Sequence, residues 1–101
     1  MSKSAVADLE KLGRTAAQQV AGKGVVKGVE VEPGEDPFER PIYYFSFLIE
    51  PRDASQRRGL LRIRLIQKLL DELTARGDEH YPVVRILNRL DWDRRKDARP
   101  N

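Results

Sequence analysis

Cysteine is absent from the 101 residues, and histidine and tryptophan occur once each. Without cysteine there is no disulfide, no thiolate metal site and no thiol nucleophile. A single histidine, His80, is too few for a histidine-based metal site or triad. Long apolar runs are missing too. The longest, Ile42 to Ile49, is broken by Ser46 and falls far short of the ~20 residues that cross a bilayer. The opening MSKSAVADLEKL has neither the apolar stretch nor the cleavage site of a signal peptide. These features predict a cytoplasmic protein with no cofactor, no metal and no membrane contact.

Charge, by contrast, is plentiful. Lys and Arg number 19 against 16 Asp and Glu, a net charge of +3, and 40% of the residues are hydrophobic. That balance fits a folded domain with a charge-rich surface rather than a disordered chain. One domain over 1–101 is expected, with about 1–3 and 94–101 as flexible tails.

Between residues 4 and 21, Val6, Leu9, Leu12, Ala16 and Val20 recur at helical spacing, although Gly13 interrupts good helix formers. Gly22 and Gly24 end that helix. Val25 to Glu32 alternates as a strand, and the Pro-rich stretch 33–41 reads as a loop that cannot continue a ladder. Ile42 to Glu50 is apolar on both sides, the pattern of a central strand. Asp53 and Gln56 resemble a capping box, so a second helix is expected from Ala54 to Arg76, closed by Gly77. Leu61 to Leu65 also alternates like a strand, but the apolar spacing beyond it fits only a helix. Val83 to Asp91 reads as the last strand.

The predicted fold is therefore α+β in the order α-β-β-α-β: a three-stranded mixed sheet with two helices packed on one face. The first two strands pair antiparallel, and the second helix crosses over to bring in the third strand in parallel. Tyr43, Phe45, Phe47 and Ile49 carry the most apolar area and are assigned to the covered face, with Val25, Val29, Val31, Val84, Ile86 and Leu90. The other face then carries Val26, Gly28, Glu30 and Glu32, then Ile42, Tyr44, Ser46 and Leu48, then Val83, Arg85, Leu87 and Arg89. Half of these twelve are apolar or aromatic, which is more than a monomer usually leaves bare. Acids on one edge and arginines on the other suit a two-fold homodimer or another protein partner, with Glu30, Glu32, Ile42, Tyr44, Leu48, Val83, Arg85, Leu87 and Arg89 as the interface.

Arg57, Arg58, Arg62, Arg64 and Lys68 crowd the start of the second helix and are candidate contacts for an anion or nucleic acid. Arg58 and Arg62 fall on the apolar stripe, where an ion pair at the core edge is the simpler reading. The element order resembles that of type II KH domains and ribosome-binding factor A, in topology alone. That resemblance implies an RNA-binding accessory factor as the alternative function, using the basic helix with Lys23, Lys27, Arg94, Arg95, Lys96 and Arg99. No Gly-x-x-Gly loop interrupts the helix, whose only glycine is Gly59. Residues 30–50 hold six acids against one arginine, a net −5 that repels a phosphate backbone.

Catalysis is not expected. His80 lies among Asp78, Glu79 and Tyr81 like an acid-supported base, but a loop histidine before a proline has no evident pocket. Asp91 and Asp93 are too few for a divalent ion, and Trp92 between them is read as an anchor for the strand end. Gly22-Lys23-Gly24 lacks the run of a phosphate loop. Phe38 is read as a pin for the Pro-rich loop or as a partner contact. The expected function is that of a small non-enzymatic protein acting through a homodimer or protein interface on the open sheet face.

Overall fold

A computed structural model describes residues 3–49 and 58–98. The elements are α1 (Lys3–Ala21), β1 (Val26–Glu35), β2 (Pro41–Ile49), α2 (Arg58–Ala75), β3 (Tyr81–Leu87) and α3 (Arg89–Ala98). Strand order is β1-β2-β3, with β1 antiparallel and β3 parallel to β2. The α+β class and mixed three-stranded sheet match the expectation; the third helix does not appear in it.

The predicted parity of β2 holds. Tyr43, Phe45 and Phe47 pack with Val29, Val31 and Val84 under Leu9, Leu12, Ala16 and Ala17 of α1 and Leu65, Leu69 and Leu73 of α2. Each fully buried Phe or Leu contributes roughly 1.5–3 kcal/mol against exposure. Gly13 has a reason in this packing: a Cβ there would stand 2.9 Å from Val29 Cγ1, so α1 lies close against β1 because the position is glycine. At the other helix, Gly77 takes φ 73°, and the bonds Asp78 N to Leu73 O (2.9 Å) and Gly77 N to Thr74 O (3.0 Å) close α2 in a Schellman turn.

Five expectations are corrected. The last strand stops at Leu87 rather than Asp91, because Asn88 caps a helix: its Oδ1 accepts from Asp91 N at 2.8 Å. Residues 94–98, expected as a loose tail, belong to that helix α3. Leu90, assigned to the core, is 59% exposed. β1 runs on through Pro33 and Gly34 to Glu35, pairing Pro33 with Tyr43 and Glu35 with Pro41. An edge strand tolerates a proline whose missing N–H would have faced away from its neighbour. Finally, a register shift between Val26 and Gly28 turns Val26, not Val25, toward the core. α2 is described from Arg58 onward; the expected start at Ala54 and its capping box lie outside the described residues.

Candidate functional site

The strand register arranges the second sheet face in rows. Gly28, Leu48 and Leu87 form one row, Glu30, Ser46 and Arg85 the next, then Glu32, Tyr44 and Val83, and last Gly34, Ile42 and Tyr81. The expectation of a bare face is corrected at the first rows, which α3 covers. Trp92, 5% exposed, lies against Gly28, and Arg95 Nη2 donates to Glu30 Oε2 while its guanidinium sits 5.0 Å from the Trp92 ring centre. Glu30, predicted to meet an arginine of another copy, thus has an arginine of its own chain. Arg89 opens α3 instead of ending a strand.

The opposite end of the same face is partly open, with Ile42 buried and Val83 half-buried. A groove of about 630 Å³ is lined by the apolar Pro41, Ile42, Tyr81 and Val83, with Asp36, Arg40 and Glu79 as its polar members. Tyr81 is half exposed. Tyr44 lies beside the groove with the Arg85 guanidinium 4.3 Å over its ring, a cation–π contact that keeps the arginine extended along the face.

Beside this groove stands a rigid turn. Asp36 Oδ1 accepts from the backbone N–H of Phe38 (2.8 Å) and of Arg40 (2.9 Å), and its Oδ2 accepts from Arg40 Nε (2.8 Å). The Arg40 N–H, aided by the Phe38 N–H and the guanidinium and opposed by desolvation, holds the Asp36 carboxyl below its ordinary value. The turn carries Glu39 at φ 63° and holds Phe38 outward, 76% exposed, with the Arg40 guanidinium 5.2 Å from its ring. Phe38 therefore does not pin the loop to the body. The signal in the sequence was Asp36, whose short carboxylate bonds the backbone two residues on.

On the helix side of the sheet, Tyr43, Asp78 and His80 form one cluster. The Tyr43 hydroxyl donates to Asp78 Oδ2 at 2.7 Å, His80 Nδ1 lies 2.6 Å from Asp78 Oδ1, and the His80 ring stacks on Tyr43 at 4.0 Å. Burial, then the Asp78 hydrogen bond, push the Tyr43 phenol up to about 12. Burial raises the Asp78 carboxyl, but the His80 backbone N–H, the Tyr43 hydroxyl and the His80 ring outweigh it and leave the group lowered. The cluster ties the α2–β3 turn to β2.

The basic residues of α2 do not share one side. At ~100° per residue, Arg64 and Lys68 fall together, and Lys68 pairs with Glu72 at 3.6 Å. Arg62 falls on the opposite flank, exposed beside β3. The ion pair expected for it is not found among the described residues. Arg57 lies outside the described residues, as does the side chain of Arg58. Among the described residues no group of three His, Asp or Glu is placed to hold a metal, and no helix is long and apolar enough to cross a membrane. The chain matches no protein-family model, no curated protein and no solved structure.

Proposed function

We propose that this is a non-catalytic binding protein that acts as a homodimer through the open end of its second sheet face. The observation that carries the reading is the pairing of Phe38, 76% exposed on a turn fixed by Asp36, with an adjoining apolar groove at Ile42, Tyr81 and Val83. A projecting ring beside a hollow is self-complementary: about a two-fold axis, Phe38 of each copy enters the groove of the other. Because the turn is already fixed, little further ordering opposes association, and a buried aromatic is the usual energetic centre of such contacts.

Sedimentation equilibrium tests this on the wild-type chain and on Phe38→Ser. The wild type is expected to dimerise at micromolar concentration, and Phe38→Ser to weaken dimerisation at least about tenfold, or 1.4 kcal/mol, with an unchanged urea midpoint when both are measured dilute enough to be monomers. A wild-type monomer at high micromolar concentration, or a dimer that Phe38→Ser leaves intact, overturns the proposal.

A further inference from the structure

β3 is an edge strand: β2 flanks one side, and no strand among the described residues pairs with the other. Alternate backbone N–H and C=O groups of a strand point to each side, so half of those in Val83 to Leu87 point away from β2. That stretch holds neither a proline nor a register break. Along its free side runs a groove of about 370 Å³, lined by Gly59 and Arg62 of α2 and by Val84, Arg85 and Ile86. Arg62 thus identifies the flank of α2 that overlooks the edge. Ile63, Ile66 and Leu70 lie within about 100° of Arg62 around the helix, and Ile63 and Leu70 are 55% and 38% exposed.

Charge decides what fits there. Arg62 stands on the helix side of the edge, and Arg85 stands on the opposite face, extended over Tyr44. Neither has a carboxylate partner among the described residues. A second copy adding its own β3 brings two further arginines to the same edge, and like charges oppose that pairing. We infer that the free edge of β3, flanked by Arg62 and Arg85 and by the apolar side of α2, receives an extended acidic segment of another protein as a fourth strand. Successive side chains of an added strand alternate between the faces. Apolar residues then pack under Ile63 and Leu70, while the intervening acids reach Arg85, and backbone hydrogen bonds supply the common attachment. This site is separate from the Phe38 groove.

The test uses the full chain labelled with nitrogen-15 and three eight-residue peptides: alternating Val and Glu, alternating Val and Lys, and alternating Pro and Glu. The Val/Glu peptide is expected to shift the amides of Val83 to Leu87, Ile63 and Leu70 and to slow hydrogen exchange within β3. The Val/Lys peptide carries the opposite charge, and the Pro/Glu peptide lacks every second backbone N–H and the apolar side chains, so neither should slow that exchange. Arg62→Glu with Arg85→Glu, both exposed positions, should weaken the Val/Glu peptide about tenfold or more and favour Val/Lys. Phe38→Ser should change none of this. No protection of β3 by the Val/Glu peptide, equal protection by all three, or concentration-dependent protection of β3 without peptide overturns the inference; the last outcome assigns the edge to a second copy.

Discussion

The indole of Trp92 fills the space above Gly28: a Cβ on Gly28 would stand 3.0 Å from Cζ2 and 3.3 Å from Cη2. Through this contact α3 is seated on the sheet. Gly28→Val should lift the indole, shifting its emission to longer wavelength. Trp92→Ala should cost about 3 kcal/mol, as deletion of a buried aromatic does. Trp92 is the chain's one tryptophan, so fluorescence reports the first change directly. Urea unfolding followed by circular dichroism measures the second.

Gly13→Ala tests the close approach of α1 to β1. Helix propensity alone predicts a gain of about 1 kcal/mol. The new methyl, however, would meet the stiff Val29 side chain at 2.9 Å, and overpacking costs about 1–3 kcal/mol. A net loss of about 1 kcal/mol is expected in urea titration. Adding Val29→Ala should return part of it, because the colliding methyl is then gone.

The Tyr43–Asp78–His80 cluster predicts a pH dependence with two limbs. The Asp78 carboxyl is lowered from its ordinary 3.8, so its stabilisation is complete above about pH 4 and is lost as pH falls through the folded value. The Tyr43 phenol is raised from 10.0 to about 12, so its contribution is complete below pH 10 and is lost as pH rises toward 12. Asp78→Asn should flatten the acid limb and Tyr43→Phe the alkaline one. Thermal melts across pH 3 to 12 read both.

Glu39 holds a left-handed conformation at φ 63° in the turn beside Phe38. Glycine adopts it without the Cβ penalty of about 1 kcal/mol that other residues bear. Glu39→Gly should therefore raise stability by a few tenths to about 1 kcal/mol, the gain being reduced by the entropy of a freer unfolded chain. Differential scanning calorimetry provides the measurement.

How legible the fold was depends on the range of the deciding interactions. Tyr43, Phe45 and Phe47 announce their shared face by spacing alone, and Gly77 marks the end of α2, because both signals are local. α3 is different. Of its apolar side chains Leu90 faces solvent and Trp92 packs inward, so no periodicity betrays it; only Asn88, with Asp91 three residues on, carried a capping signal. The run of β1 through Pro33 depends on its edge position, which only the assembled sheet defines. The second face followed the same divide. Its composition was readable, whereas the cover by Trp92 and Arg95 and the outward Phe38 arise from contacts between distant or turn-held residues.

The two sheet margins differ in a way that limits growth. β1 is interrupted by a register shift between Val26 and Gly28, contains Pro33, and carries Glu30, Glu32 and Glu35. Such a border resists further pairing, while the margin at β3 is regular. A chain accepting a strand on one side therefore offers no equivalent platform on the other. By the inference above, the sheet ends at four strands: the segment added at β3 has no counterpart at β1.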